Sequence, residues 1–372
     1  MKLAIQGIGL VGGFGCGTEA LKTALLEKKY QVQTISIPTG QGPRNMPAFL
    51  ADTGKLEDFL GKKALRRVDH FSKIALLGSF LALQDAGKLE GDHQKMGLVV
   101  ASGYGACQTT FAFLDSFYDS GDQFSSPIHF SNSVHNAAAG IISMALGISG
   151  PGLTVSQFEM SVPSALLTAG IWLEGGQVDA VLVGGVDEYS ELLGYCWHRF
   201  FGDSEWGIQE MRPLAFDLQS AIPGEGSAFF LLTRAEEESP APYGFIEDIE
   251  MGRDNRGKLN YSGETLFFIG ADGHKKCGSF YKPLLPEGVS IACYTPIYGS
   301  LPVGPAFDLA IAALSLKNKI IFPSPYPPKE NPALKIIGEA TDLLGEKICC
   351  LKIGEDGEWG SFTLSPLKDK LL

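Results

Sequence analysis

The sequence predicts an α/β protein assembled from two successive sets of strands and helices. Three observations carry this. Short Val- and Ile-rich runs alternate with longer stretches of helical periodicity, the pattern of strands buried on both faces between helices. The pattern restarts after the Pro- and Glu-rich connection AEEESPAPYG (235–244). With 372 residues and 45% hydrophobic content, the chain can bury a large core or two related ones.

The first series opens with the strand LAIQGIGLV and the helix TEALKTALLEKKY, for which Thr18 is the expected N-cap. DHFSKIALLGSFLALQDAG reads as a helix ending on Gly87, and MGLVVASG as a buried strand. LTVSQF is a strand that runs directly into the helix SVPSALLTAGIWLEGG, and AVLVGGV and SAFFLLTR close the set. The second series is GFIEDIEMG, TLFFIGADG, VSIACYTP, the helix PAFDLAIAALSLKNK, then KICCLKIGE and GSFTLSPL. Similar order in the two sets points to an internal duplication without a residue-level repeat. The boundary falls near Ser239–Tyr243, which divides the chain into residues 1–240 and 241–372.

Composition excludes several classes of function. The net charge of −12 and the lack of a basic stripe with interleaved aromatics argue against nucleic acid as a partner. No apolar run reaches the ~18–20 residues of a membrane span, and the glycine-broken N-terminus does not read as a signal peptide, so a cytoplasmic protein is expected. Seven cysteines without a disulfide-like framework read as reduced thiols. No His/carboxylate spacing suits a metal, and GIGLVGG lacks the acidic partner of a dinucleotide site, so neither metal nor cofactor is expected.

Individual residues have plain structural readings. Asp187 and Glu188, after a strand, should bond loop amides, and Glu225 between Gly224 and Gly226 should do the same. His135 in SNSVHNAAAG is expected to hydrogen-bond at a helix start, and His70 to face solvent. Lys62, Lys63, Arg66 and Arg67 form the compact basic cluster, read first as a solvated helix face. Phe111, Leu114, Phe117 and Tyr118 recur at helical spacing with Phe113 beside them, and the plain reading packs that face into the core.

Seven stretches in order resemble the β-ketoacyl synthases of the thiolase-like superfamily. They are the opening LAIQGIGLVGGFG, RRVDHFSKIALLGSFLALQDAG, VVASGYGACQTTF, FSNSVHNAAAGIISMALGISGPGLTVS, GGQVDAVLVGGVDE, RPLAFD and PGEGSAFFLLTRAEE. The resemblance spans the chain but weakens after about residue 250, and FSNSVHNAAAG is similar to the subgroup of aryl-polyene and type II polyketide systems. It implies a duplicated α-β-α-β-α layered fold and a dimer.

The resemblance also implies a reacting centre, and this chain departs from it. The family places a nucleophilic cysteine where the strand after Gly150–Pro151 meets the central helix, at the position of Glu159. A helix N-terminus lowers a thiol's pKa and equally accepts a carboxylate, but a carboxylate forms no acyl thioester. Glu159 therefore either caps the helix or fills the site of a non-condensing subunit. The family's two histidines fall on Asp272 and Ser300 and its lysine on Thr295, while His274 lies two residues beyond the first histidine position. The gating G-F-G-G phrase is degenerate in Gly357–Ser361, and the entrance segment is shortened to RDNRGKLNYSGE.

The resemblance and these departures together imply a catalytically inactive ketosynthase-like subunit, similar to a chain length factor, that pairs with an active ketosynthase or with itself. In that setting Phe111, Phe113, Leu114, Phe117 and His135 would lie at the interface and acyl tunnel. Lys62, Lys63, Arg66 and Arg67 would contact an acyl carrier protein. The alternatives are a Glu159-dependent decarboxylase or hydrolase of acyl-carrier thioesters, and an acyl-binding homodimer without turnover.

Overall fold

The computed structural model describes residues 2–40, 42–123, 125–201, 210–235, 241–253, 265–285, 288–325, 334–345 and 347–366. The first series contains β1 (Leu3–Gly12), α1 (Thr18–Glu27), α2 (His70–Asp85), β2 (Met96–Ala101), α3 (Cys107–Ser120), α4 (Pro127–Ser133) and α5 (Ala137–Leu146). It continues with β3 (Gly152–Val155), α6 (Ser161–Glu174), β4 (Ala180–Asp187), α7 (Glu191–Phe201) and β5 (Gly226–Arg234). The second comprises β6 (Phe245–Arg253), β7 (Thr265–Ile269), α8 (Lys275–Leu284), β8 (Ser290–Ala292), α9 (Gly304–Asn318), β9 (Lys347–Ile353) and β10 (Glu358–Ser365).

Strand order makes the duplication visible. The sheet runs β8-β7-β9-β10-β6-β1-β5-β4-β2-β3, with the short strand Lys335–Ile336 beyond β8. β1, β5 and β4 pair antiparallel, then β4, β2 and β3 parallel. β6, β10 and β9 repeat the antiparallel pairing, and β9, β7 and β8 the parallel. The seam is the antiparallel contact of β1 with β6, at Leu3↔Ile246 and Ala4↔Phe245. The linking residues 236–240 and nearly all of the shortened entrance segment lie outside the described residues.

Alternation along the strands sorts side chains into layers. Val99, Val183, Phe230, Phe268 and Cys350 face an inner core shared with α6 and α9. Leu98, Val100, Leu182 and Phe229 face outward onto α2 and α5, and Phe267, Ile269 and Leu351 onto α8. Helix, sheet, helix pair, sheet and helix make the five layers. The glycines of β1 serve this packing, since a Cβ on Gly9 would collide with the Gly78 carbonyl of α2.

Several local expectations are corrected. Thr18 is the first residue of α1 and caps nothing; Gly17 is the N-cap, at a positive φ of 87° that glycine tolerates. α1 ends before KKY because Lys28 turns left-handed, at φ 51°. β3 stops at Val155, and a 3₁₀ turn, Phe158–Met160, separates it from α6.

Candidate active site

Glu159 sits in that turn, two residues ahead of Ser161, the first residue of α6. The turn explains why Glu159 does not cap the helix: the N-cap is Met160, and no side chain bonds the helix end there. Phe158 before it adopts φ 46°, a conformation costly for a bulky residue and typical of a functional bend. Burial raises the Glu159 carboxyl to about 7, against the opposing pull of the Lys352 ammonium and of its own backbone amide. At neutral pH it is divided between acid and carboxylate.

Asp272 and Ser300, the residues expected where the family carries its two histidines, come together. Ser300 Oγ donates to Asp272 Oδ2 at 2.9 Å, and both residues are buried. Thr295, the residue expected at the family's lysine position, turns its hydroxyl to the Ala271 carbonyl at 2.7 Å. A residue that the motifs missed brings a positive charge to this spot. Lys352, the last residue but one of β9, is 3% exposed and donates to Asp272 Oδ2 at 2.7 Å and to the Gly270 carbonyl at 3.0 Å. Burial by itself would raise the Asp272 carboxyl, but the Lys352 charge and the bonds from Lys352 and Ser300 outweigh it and hold it at about 2. Burial likewise opposes the Lys352 ammonium, and Asp272 and Glu159 keep it charged. The sequence clue was the second lysine of the strand KICCLKI, enclosed between Leu351 and Ile353.

In front of Glu159 opens a cavity of about 570 Å³. Tyr104 and Phe158, then Trp197 and Phe201 of α7, form its aromatic walls, and His274 borders it beside Glu159. His274 is held edge-on by Trp197, with ring centres 4.9 Å apart, and lies 5.3 Å from Phe201. Burial lowers its pKa, so it is neutral near pH 7. The rim carries Lys276, Glu355, Asp356 and Glu358. Gly360, in the Gly357–Ser361 phrase, packs closely on α6, since a Cβ there would strike Pro163.

The remaining predicted residues fall elsewhere. Asp187 accepts from Ser102 Oγ and the Gly103 and Tyr104 amides at 2.8–2.9 Å, and Glu188 from the Gln108 amide at 2.8 Å. Glu225 accepts from the Ala51 and Tyr189 amides. His70 is not simply a surface residue: half-buried, its Nε2 lies 3.0 Å from Glu225 Oε1, which raises its pKa. His135 is exposed against Gly105 and caps nothing, because the N-cap of α5 is Asn136.

The α3 face does not pack in the core. Phe111, Leu114, Phe117 and Tyr118 are 39%, 47%, 47% and 91% exposed, and Phe113 rests on Phe130 of α4. The basic cluster lies on the short helix Lys62–Leu65 and the turn after it, its four side chains exposed and Lys62 paired with Glu57. All seven cysteines are free. No group of three or more His, Cys, Asp or Glu side chains among the described residues could hold a metal ion. No helix among them is long and apolar enough to cross a membrane.

A duplicated five-layer α/β fold, with a bent strand-to-helix junction between its halves, defines a thiolase-like ketosynthase scaffold. The chain belongs to the β-ketoacyl synthase family: residues 2–238 match that family's N-terminal domain. It is similar to the 3-oxoacyl-[acyl-carrier-protein] synthase 2 of Rhizobium meliloti (strain 1021), 26% identical over 260 residues, 63% of this chain and 59% of that protein. The Vibrio harveyi protein of the same description is 23% identical over 195 residues, 52% of this chain and 47% of that one. The aligned regions thus cover less than two thirds of these curated relatives. Among solved structures, the ishigamide ketosynthase/chain length factor superposes with a TM-score of 0.83 over 99% of both chains at 15% identity. A β-ketoacyl synthase from Burkholderia phymatum STM815 gives 0.79 at 17% identity, over 99% of this chain and 100% of that one. At such identities the likeness is one of fold.

Proposed function

We propose that this chain is a non-condensing ketosynthase-like subunit of the chain length factor type. It pairs with an active β-ketoacyl synthase in fatty-acid-like, polyketide or aryl-polyene biosynthesis and shapes the acyl tunnel of the pair. Residues 1–240 form the half that carries the interface, and residues 241–372 the shortened half. The observation that carries this reading is the altered reacting centre. A carboxylate occupies the nucleophile position, and the two histidine positions are tied into a network in which Ser300 donates to Asp272 and Lys352 donates to Asp272 and Gly270.

The exposed apolar face of α3 supports pairing, because monomers seldom leave so contiguous a patch in water. It continues onto Phe130 of α4 and Met144 of α5, and toward Leu153 on the edge strand β3. Phe111, Phe113, Leu114, Phe117 and His135 are assigned to that interface, and the Lys62–Arg67 cluster to an acyl carrier protein.

The test is co-expression with an active ketosynthase followed by co-purification, together with a malonyl-carrier decarboxylation assay on the isolated chain. A stable pair and an inert isolated chain are expected. A second reading, hydrolysis or decarboxylation at an acyl-carrier thioester by Glu159, draws on its carboxyl near 7 in an open cavity. Turnover by the isolated chain that Glu159→Gln abolishes would establish it in place of the first. Glu159→Cys leaves condensation absent in the first reading, since Asp272, Ser300 and Lys352 are unchanged.

A further inference from the structure

We propose that the cavity before Glu159 is a binding site for an apolar organic cation of the alkylammonium class, and that it rejects ligands headed by a carboxylate. The inference rests on the reading of Glu159 as a position that carries no acyl thioester, and it names what the cavity holds instead.

The walls supply the first half of the argument. Tyr104, Trp197 and Phe201 surround a volume in the range that takes a small ligand, and aromatic faces attract a poorly hydrated cation. Trp197 and Phe201 stand edge to face with centres 5.5 Å apart, which fixes their orientation. The faces of the same rings pack against an alkyl chain.

Charge supplies the second half. Four carboxyl groups line the cavity, Glu159, Glu355, Asp356 and Glu358, against one ammonium, Lys276. Lys276 Nζ already lies 3.3 Å from both Glu355 and Asp356. The cation behind Glu159 is Lys352, which is buried and committed to Asp272 and Gly270. His274 is neutral. An entering carboxylate therefore meets carboxylates and no uncommitted cation among the described lining residues, whereas an ammonium meets Glu159 among aromatic walls.

The carboxyl of Glu159, near 7 when the cavity holds no charge, gives this reading a signature. A bound ammonium favours the ionised form, so binding releases a proton at neutral pH. Affinity should fall about tenfold between pH 8 and pH 6, as the competent carboxylate becomes the minor form.

The experiment is calorimetric titration of the full chain with decyltrimethylammonium below its micelle concentration, with decanoate and with decanol. Each is run at pH 6, 7 and 8 in buffers of different ionisation enthalpy. The expected result is binding of the ammonium at least about tenfold tighter than the other two, with proton release at pH 7. Glu159→Gln should remove both the proton release and the pH dependence. Decanoate or decanol binding as tightly as the ammonium, cation binding without proton release in the unmodified chain, or no binding of any probe would overturn the proposal. Because the titration uses the isolated chain and pairing is read by co-purification, either result can fail while the other stands.

Discussion

Lys352 shows how a single residue decides the state of the site. A fully buried ammonium is tolerated only because Asp272 and a backbone carbonyl receive it, and Asp272 is tolerated only because Lys352 and Ser300 answer it. Lys352→Met leaves a buried carboxylate unpaired. It should cost about 3–5 kcal/mol, read as a lowered denaturation midpoint. Adding Asp272→Leu removes the orphan and should recover most of the loss. A single variant as stable as the parent would show that water reaches Asp272 and that the network is looser than its distances. The lysine was visible in the strand, but nothing in KICCLKI told which face it occupies or what it meets across the sheet.

Among the elements, α3 carries the clearest disagreement between pattern and placement. The helical recurrence of Phe111, Leu114 and Phe117 was legible, yet the same periodicity suits a core face or a docking face. Exposure rules out the first, and the second is the role proposed. Leu114→Asp with Phe117→Asp should lower the isolated chain's stability by only about 1–3 kcal/mol, because about half of each side chain already lies in water. The same variant should fail to co-purify with its ketosynthase partner; retention of the pair would remove α3 from the interface. Phe111→Ala, which keeps the helix and opens volume, should lengthen the product of an assembled pair if the ring closes the tunnel. Unchanged product length in a correctly paired variant would reject that role. The basic cluster on the helix Lys62–Leu65 and its following turn is argued in the same way. Arg66→Glu with Arg67→Glu should slow carrier-dependent turnover by the pair, most clearly at low salt, and unchanged kinetics would return it to a solvated face.

Across the whole molecule, buried carboxyls set the pH response. Asp308 and Glu188 are raised by burial to about 7, and Asp187 to about 6. A raised carboxyl pKa means the folded state holds protons that the unfolded chain has released, so stability grows as pH falls from about 7 toward 4. Asp272 and Glu247 work in the opposite sense. Burial opposes ionisation in both, but their lysine partners hold them at about 2, so their contribution is present above about pH 4 and is lost below it. A melting temperature that peaks near pH 4–5 is expected, and Asp308→Asn should flatten the rise between pH 7 and 5. A melting temperature that falls steadily from pH 8 to 5 would mean that these carboxyls stay hydrated.

The sequence by itself determined the alternating strands and helices and their repetition in two series, and it set a carboxylate, Glu159, close behind Gly150–Pro151. These are local: a strand's hydrophobic run or a residue after Gly-Pro is read within about ten positions. Tertiary structure alone decided the rest. It placed Lys352 beside Asp272, 80 residues away in sequence, because β9 and β7 pair side by side. It inserted a turn that removes Glu159 from the helix cap, and it turned the α3 rings toward solvent. The physical reason is that periodicity specifies which face of an element is apolar, while the packing of distant elements determines what that face and its buried charges meet.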